Sequence, residues 1–478
     1  MLFNSFEFIF IFFPVLAVLY YLARRHFSHN AALLILTLGS LVFYSYWDIA
    51  NLPILLASAV GNYAAGVGIA RWRHKALLIA AIAANLLMLA SYKYLAFFAR
   101  IFALDIGESV IPLGISFFTF QQISFLVDVW TKRTQPRGFV PHLLFVSFFP
   151  HLIAGPLVQH HQISKQFQDA GRKDDLVDNF AVGLSIFVIG LAKKVLLADN
   201  LEPIAAGLFS RADAASNLGL LESWLGVTAY SLQVFFDFSG YSDMALGLAR
   251  CFGYHLPINF NAPYRAASII DFWRRWHISL SQFLRDHLYI PLGGNRRGPL
   301  RRYINLLVTM LLGGLWHGAG WTFVVWGALH GMMLAAAHLW HDAKLPPLSA
   351  FVGSVPMIVV TFIAVTITWV FFRAADFHAA GAIIAAMFGN GGLGGMPNTL
   401  DAALVLLGLA IVWGLPDTAA AFYRNLDPTM IATAHVAPPT SERLQWRPVK
   451  PLAIALSLLL IASVFSAAKV APFIYFAF

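Results

Sequence analysis

The sequence predicts an all-α polytopic membrane protein. Of its 478 residues, 59% are hydrophobic and only 12% are charged, whereas about a quarter of the residues of an ordinary soluble domain are charged. Apolar runs recur along the whole chain, and a spanning helix needs about 20 apolar residues. These observations exclude a soluble globular enzyme, a disordered protein and a small disulfide-stapled module. The runs are also too continuous for the ~10-residue alternating strands of a membrane β-barrel.

The apolar runs differ in length, and several are too short or too interrupted to be simple spans. The segment 141–156 contains three prolines and a glycine. Broken backbone at membrane depth is tolerated only inside protein or beside a wet cavity, so we expect this segment to be packed inside. The runs cover residues 6–23, 31–47, 52–70, 76–104, 111–130, 140–158, 180–198, 218–236, 241–254, 303–316, 321–340, 352–372, 401–415 and 451–468.

The positive charges indicate how the chain is oriented. The net charge is +9, and Lys and Arg cluster in short loops, which is typical of loops on the cytoplasmic side. At the N-terminus, Arg24 and Arg25 follow the first apolar run instead of preceding it, which is the reverse of a signal peptide. We therefore expect an uncleaved first helix with its N-terminus in the periplasm. The sequence has no basic domain outside the membrane, so nothing in it predicts binding to nucleic acid.

The region 255–302 is polar, aromatic and basic, and it cannot span a membrane. Ser268 and Asp271 have the spacing of a capping box at the start of a helix. The helix is predicted to continue through 272–288, with Asp271 and Arg275 paired four residues apart. Its tryptophans and leucines are typical of a membrane interface, so we expect a cytoplasmic-side helix that lies in that interface.

Histidines in or beside apolar segments are the first candidates for chemistry, because an ionisable residue is costly there. His317 is flanked by glycines and by Trp316, and a histidine of near-neutral pKa suits a general base. A buried histidine that bonds a helix carbonyl is an equal alternative. The alternative for His277 is an interfacial position facing headgroups, and the alternative for His151 and His330 is packing in the core.

Two carboxylates, Asp237 and Asp243, interrupt an apolar run. With hydroxyls between them they are able to bind a cation or to orient a histidine, but we favour the alternative that they cap a broken helix pair. The single cysteine, Cys251, excludes an internal disulfide and a zinc site built on several thiolates. It is predicted to be a packed residue at the end of a helix, and no metal site is predicted.

Seven motifs in a fixed order carry a resemblance. The chain resembles the membrane-bound O-acyltransferases nearly end to end, and within them the bacterial branch that takes part in alginate O-acetylation. A closing PFIYFAF at 472–478 is also similar to the end of that branch. The motifs are PLGISFFTFQ at 112–121, FPHLIAGP at 149–156, FDFSGYSDMA at 236–245, NFNAPY at 259–264, FWRRWHISLS at 272–281, LYIPLGGN at 288–295 and GGLWHG at 313–318.

The resemblance implies a fold and a set of site residues. It implies a ring of roughly 10–13 transmembrane helices, with re-entrant and interfacial helices, around a central tunnel. It also implies one domain over 1–478, with N-terminal helices in 1–110, a catalytic core in about 111–340 and C-terminal helices in 350–478. The implied site has two principal residues, His317 and His277, and a group of supporting residues. The supporting residues are His151, Trp316, Arg275, Asp237 and Asp243, of which the two aspartates are structural or tunnel-lining.

The implied activity is transfer of an acetyl group across the bacterial inner membrane for O-acetylation of an exported polysaccharide such as alginate. We expect acetyl-CoA as the cytoplasmic donor substrate, no bound cofactor, and a separate periplasmic SGNH-type acetyltransferase with other export components as partners. Alternatives are acetylation of cellulose or peptidoglycan by the same chemistry, an acyl-group transporter without catalysis, and a scaffold that recruits the periplasmic enzyme. Arg296 and Arg297 grip the donor phosphates or form an ordinary positive cytoplasmic loop.

Overall fold

The computed structural model describes residues 1–104, 111–153, 155–169, 175–215, 217–439 and 441–467. These residues form helices joined by turns and loops, and no β-strand occurs among them. The all-α prediction is therefore confirmed. The closing motif at 472–478 lies outside the described residues.

Within the described residues, six helices are long and apolar enough to cross a membrane. The helix Lys75–Ile101 has 17% of its apolar window buried in protein, whereas Leu176–Asp213 has 61% buried. The first therefore presents most of its surface to lipid and the second is largely enclosed, as expected of a multi-pass protein. The other four are Phe8–His26, Ile49–Trp72, Trp321–Asp342 and Ser354–Arg373, and the shorter apolar helices are His29–Ser45, Phe377–Met387, Thr399–Gly414 and Lys450–Ser466.

The chain divides into two compact units. The first comprises Met1–Leu191, Tyr241–Pro257 and Pro448–Val470. The proline-rich segment forms a broken helix in this unit, and its residues Phe145, Phe149 and His151 have no exposed surface, which confirms the internal packing predicted for it. Its α-helices are Phe13–His26, His29–Ser45, Leu52–Trp72, Lys75–Leu89, Leu95–Ile101, Ile115–Trp130, Phe139–Ser147, Phe149–Leu152, His160–Gln168, Leu176–Ala192 and Lys450–Ser466, with π-turns at Phe8–Phe12 and Ala90–Tyr94 and a 3₁₀-turn at Ile49–Asn51.

The second unit comprises Ala192–Gly240 and Ile258–Arg447. Its α-helices are Asp199–Asp213, Ile269–Arg275, Ile278–Leu284, Pro299–His317, Trp321–Asp342, Ser349–Val352, Ser354–Arg373, Phe377–Met387, Thr399–Gly414, Thr418–Ala421 and Pro428–Thr433. Short π- or 3₁₀-turns occur at Lys193–Ala198, Pro263–Arg265, Arg285–Tyr289, Tyr423–Asn425 and Glu442–Leu444. The helix Leu220–Cys251 contributes residues to both units.

That long helix corrects the prediction that Asp237 and Asp243 cap a broken helix pair. Leu220–Cys251 is continuous through both aspartates. A carboxylate inside a helix is tolerated here because the Asp237 side chain meets Lys194 at 2.6 Å, which compensates its charge without interrupting the backbone. Cys251 is the last residue of the helix and is buried, as predicted.

The single helix predicted over 272–288 is wrong. Ser268 does cap a helix, since its side chain accepts a hydrogen bond from the Asp271 amide at 3.1 Å. That helix ends at Arg275, and His277 adopts a left-handed backbone with φ of 42°. The reason is tertiary: the Ile278 amide donates to the Asn259 carbonyl at 2.9 Å, so it is withdrawn from the helical ladder. Short helical pieces resume only after this break.

The predicted interfacial role of the aromatic residues in this region is also wrong for the innermost ones. Trp276 and Phe272 are 1% exposed, and their rings stack with centroids 5.6 Å apart. The Trp273 indole donates to His330 Nδ1 at 3.2 Å. These side chains pack inside the protein because their apolar area is removed from water there.

The helices Pro299–His317 and Trp321–Asp342 form a close antiparallel hairpin. A Cβ placed on Gly327 would lie 2.3 Å from the Met310 carbonyl oxygen, which is shorter than any real contact. Glycine at this position therefore allows the two backbones to touch. The hairpin holds the end of the first helix, where His317 lies, in a fixed place.

We expect Gly327→Ala to destabilise the protein by about 1–3 kcal/mol, because the added methyl group forces the two backbones apart. The measurement is the midpoint of thermal unfolding in detergent. Gly381→Ala is the matched control, since a Cβ at Gly381 meets nothing within 4 Å. An equal loss of stability in both variants would show that helix contact is not the cause.

Candidate active site

His317 is held at the end of a helix by aromatic packing. It is the last residue of Pro299–His317 and is 4% exposed. Its ring has the rings of Trp316, Trp326 and Phe372 around it, with centroids 4.9, 5.3 and 5.2 Å away. The next residue is a glycine with extended backbone. A Cβ at this Gly318 would lie 2.2 Å from the Phe323 ring, so glycine allows a close approach beside the histidine.

His277 lies next to His317. The two ring centroids are 6.4 Å apart, so nitrogens of both imidazoles are able to reach neighbouring atoms of one bound substrate. His277 has no exposed surface, and its ring meets the Phe238 ring edge to face with centroids 4.7 Å apart. The alternative that it faces lipid headgroups is excluded by this burial.

The hydrogen bonds of Asn259 define the tautomer of His277. Asn259 Oδ1 lies 3.4 Å from the Ser279 amide nitrogen and 2.8 Å from the Ser279 hydroxyl. Because a backbone N–H only donates, this atom is the amide oxygen and not the nitrogen. His277 Nδ1 lies 3.0 Å from the same oxygen, so Nδ1 carries the proton and donates it. Nε2 is then an acceptor.

Nε2 of His277 is therefore a bare nitrogen, unprotonated and with its lone pair available. Among the residues that the structure describes it has no hydrogen-bond partner. His277 lies outside the six candidate spans, and burial lowers its pKa to about 3. The ring is consequently neutral, because desolvation disfavours the imidazolium. A neutral imidazole with a free Nε2 is able to accept a hydrogen bond from a substrate.

Arg275 supports the loop that positions His277. Its guanidinium pairs with Asp271 at 2.8 Å and donates to the Asn261 carbonyl at 3.3 Å. The Asn261 amide in turn donates to the Arg275 carbonyl at 3.0 Å. These bonds join the segment before His277 to the segment that contains Asn259. Arg275 thus stabilises the backbone of these two segments. Its contacts give it no direct part in chemistry at the two imidazoles.

Asp237 belongs to a buried ion cluster in the same unit. Lys194 Nζ lies 2.6 Å from Asp237 and 2.7 Å from Asp199. The next residue along the helix is Phe238, whose ring contacts His277. The cluster therefore holds one wall of the site in place. No group of three or more His, Cys, Asp or Glu able to hold a metal occurs in the described part of the chain.

The remaining candidates are His330 in the second unit and His151 and Asp243 in the first. His330 accepts from Trp273 and lies 2.9 Å from the Thr368 hydroxyl, so it ties core segments together as the packing alternative predicted. His151 and Asp243 belong to the first unit. His151 Nε2 lies 2.9 Å from the Phe145 carbonyl oxygen. This bond agrees with the alternative that His151 packs in the core.

The arginines of the basic loop are exposed. Gly293 and Gly294 adopt positive φ angles and form a turn. Arg296 and Arg297 follow with exposed side chains. Arg302, farther along, is engaged with Asp342. The first two arginines are thus accessible to an anion, as both interpretations of the loop require.

Sequence reasoning did not single out Asn259, Lys194, Trp326 or Phe372. Asn259 does occur in the NFNAPY motif, but an asparagine in a loop has many uses, and its bond to His277 bridges 18 residues. Lys194 sits in an apolar run, where a buried cation was a signal for a buried carboxylate partner. The two aromatic residues carry no signal beyond hydrophobicity.

Comparisons with known proteins identify the family. The model of the MBOAT, membrane-bound O-acyltransferase family, matches residues 133–372, a range that contains both imidazoles of the site. The chain is 38% identical over 510 residues to the probable alginate O-acetylase AlgI of Pseudomonas putida, and all of both chains is covered. It is 41% identical over 433 residues to the peptidoglycan O-acetyltransferase of Helicobacter pylori, covering 82% of this chain and 81% of that one.

A more distant relative is the teichoic acid D-alanyltransferase of Streptococcus thermophilus, 28% identical over 241 residues, covering 48% of this chain and 58% of that one. The relatives share acyl transfer and differ in the group moved and in its acceptor. Together with the apolar spans they make this chain a multi-pass membrane O-acyltransferase of the alginate O-acetylase branch. The chain belongs to the membrane-bound O-acyltransferase family.

Proposed function

We propose that the protein takes an acetyl group from acetyl-CoA on the cytoplasmic side of the bacterial inner membrane and transfers it toward an exported polysaccharide such as alginate. The observation that carries this proposal is the pair of buried imidazoles with centroids 6.4 Å apart, one of them with a bare Nε2. The relative named as an alginate O-acetylase covers the whole chain, which supports the choice of acceptor.

In the proposed step, His317 removes the proton of an acceptor hydroxyl while the oxygen of that hydroxyl attacks the thioester carbonyl. The new C–O bond forms, the C–S bond breaks, and the thiolate takes the proton back from the imidazolium. His277 Nε2 accepts a hydrogen bond from a second polar group of the acceptor. His277 Nε2 is not suited to hold the donor carbonyl, because an unprotonated nitrogen is unable to donate to a carbonyl oxygen. An acyl-histidine intermediate would use the same residues.

Three further proposals concern the partner of the protein, the orientation of its N-terminus and a second acceptor. We propose that a periplasmic SGNH-type acetyltransferase receives the group with other export components, because the described residues contain no second catalytic domain of that type. We further propose that the N-terminus is periplasmic, since the first span is followed by Arg24 and Arg25. Peptidoglycan is the second candidate acceptor, supported by the 41% identity to the Helicobacter relative.

His317→Ala and His277→Ala are expected to lower acetyl transfer by about 10²- to 10⁴-fold, because the first removes the base and the second removes a hydrogen bond that positions the acceptor. The measurement is transfer of labelled acetyl from acetyl-CoA to alginate oligosaccharides by the purified protein, with and without the proposed periplasmic partner. In cells, mass spectrometry of alginate, cellulose and peptidoglycan then shows which polymer loses its acetyl groups.

His330→Ala is the matched control for the two histidine variants, since this imidazole is buried and bonded but lies outside the pair. Full transfer by folded His317→Ala or His277→Ala protein would contradict the assignment. A wild-type protein that moves acetyl groups without forming any ester would favour the transporter alternative.

Asn259→Ala is expected to lower kcat by about 10- to 100-fold with little change in KM, because His277 loses the bond that orients its ring. Asn259→Asp should retain most activity, since a carboxylate still accepts from Nδ1. The carboxylate also raises the pKa of His277, so the acidic limb of the kcat profile should move to higher pH.

Asn62→Ala is the control for the loss of a buried amide, because Asn62 bonds to Ser58 and Asn85 within the first unit. If Asn259→Ala and Asn62→Ala reduce activity only in proportion to lost stability, and Asn259→Asp leaves the pH profile unmoved, Asn259 has no positioning role.

The double variant Arg296→Ala and Arg297→Ala is expected to raise the KM for acetyl-CoA by about tenfold at low salt, because two exposed cations near phosphates are lost. The KM for acetyl-pantetheine, which lacks the nucleotide phosphates, should stay unchanged. Equal effects on both donors would favour an ordinary positive cytoplasmic loop.

A further inference from the structure

Arg373 is an exception among the basic residues of the second unit. It is the last residue of the helix Ser354–Arg373 and is partly exposed. Its guanidinium lies over the ring of Phe209, 5.5 Å from the ring centroid. Among the residues that the structure describes, the guanidinium has no hydrogen-bond or ion-pair partner. Its positive charge is therefore uncompensated within the described part of the chain.

The other lysines and arginines that are buried or partly buried in the described part of this unit each meet an oxygen. They are Lys193 with Asp417, Lys194 with Asp237, Arg275 with Asp271, Arg302 with Asp342, and Arg265 with the Val412 carbonyl. A cation that is taken partly out of water without an anion costs free energy. Arg373 departs from the pattern, so we expect its anion to come from a ligand.

The groups around the guanidinium are neutral or already engaged. The Phe209 ring also packs against Tyr230, with ring centroids 5.5 Å apart, and a phenol carries no charge at neutral pH. The acidic residue nearest in sequence, Asp376, accepts from the Ala379 amide at 2.8 Å and caps the next helix. A guanidinium that lies over an aromatic face keeps its N–H donors directed along its edge, where an oxyanion binds.

Arg373 follows directly on a residue that packs against His317. The ring of Phe372 lies 5.2 Å from the His317 ring, centroid to centroid. Consecutive side chains leave a helix about 100° apart, so the guanidinium lies to one side of the imidazole and not against it. A group bound at Arg373 is therefore a different part of the substrate from the hydroxyl that reacts at His317.

The position of Arg373 also separates it from the phosphates of the donor. In the proposed function those phosphates meet the basic loop that precedes Pro299. The helix Pro299–His317 starts at that loop, and its 19 residues span about 28 Å. Arg373 lies at the His317 end of this helix. The anion at Arg373 is thus a group of the acceptor and not of the donor.

We infer that Arg373 binds a carboxylate of the acceptor and thereby favours polymers of uronic acids over neutral polysaccharides. This inference rests on the proposed function and names the class of its acceptor. A guanidinium makes two parallel hydrogen bonds to one carboxylate, and alginate carries a carboxylate on each sugar whereas cellulose carries none. The alternative is that Arg373 only stabilises the end of its helix through the helix dipole, which predicts no preference among acceptors.

The test compares two probes, oligomers of mannuronate and of mannose with the same linkage, which differ in the carboxylate. The purified full chain is used in a neutral detergent, and affinity is measured from the rise in unfolding temperature that each probe causes. The wild type is expected to bind the mannuronate oligomer about 10- to 100-fold more tightly than the mannose oligomer. Arg373→Gln should lose this preference and leave the affinity for the mannose oligomer unchanged.

Arg211→Gln is the matched control. Arg211 is an exposed arginine two residues after Phe209, and it pairs with Glu222 at 2.9 Å. The variant removes one positive charge from the same unit and should keep the wild-type preference. Arg373→Lys retains the charge without the planar fork, so its preference should fall between those of the wild type and Arg373→Gln. Arg373→Met, which keeps the apolar stem, replaces the glutamine variant if that variant fails to fold.

The inference is overturned if the wild type binds both oligomers alike or binds neither. It is also overturned if Arg373→Gln keeps the wild-type preference, whatever its unfolding temperature, because the helix dipole is then its role. Equal losses in Arg373→Gln and Arg211→Gln would assign the preference to net charge alone and contradict the inference. Failure of the proposed function is a separate result, in which the wild type forms no acetyl ester, since binding measured by unfolding does not depend on transfer.

Discussion

A polar group that is removed from water must find a partner inside the protein, and this constraint organises the whole chain. Apolar burial is abundant in a sequence that is 12% charged, so it does little to distinguish one packing from another. The few polar contacts do. Asn62 and Asn85 join two lipid-facing helices, and Lys194 joins its turn to Asp237 on the long helix. Each of these contacts costs free energy if it is broken in a low-dielectric interior, and each therefore specifies which helices meet and in which register.

The same constraint builds the site. His277 sits in a left-handed backbone conformation, which is unfavourable for a residue with a Cβ and persists only where its surroundings hold it. The bond to Asn259 supplies that support and at the same time assigns the proton to Nδ1. Aromatic rings then close around the two imidazoles and exclude water. A structural contact and a chemical property are thus consequences of one interaction, and the hairpin closed at Gly327 delivers His317 to the same place.

Much of the fold and of the site followed from sequence patterns. Composition and run length predicted the all-α membrane architecture, and the motifs pointed to His317 and His277. The continuous helix through Asp237 and the break at His277 were not predicted, because both depend on partners far away in the chain. Lys194 neutralises a carboxylate that local rules assign to a cap, and Asn259 withdraws a backbone amide that local rules assign to a helix. Local propensity is a weak prior wherever such contacts exist.

By itself the sequence determined the class of fold and its place in a membrane, because hydrophobic run length is a property of the chain alone, and its motifs predicted His317 and His277 as the principal site residues. Only the tertiary structure decided that the imidazoles are neighbours, that Nε2 of His277 is bare, and that Asn259 makes it so. The physical reason is that a tautomer depends on the direction of a hydrogen bond between segments 18 residues apart, and direction exists only once the backbone has folded.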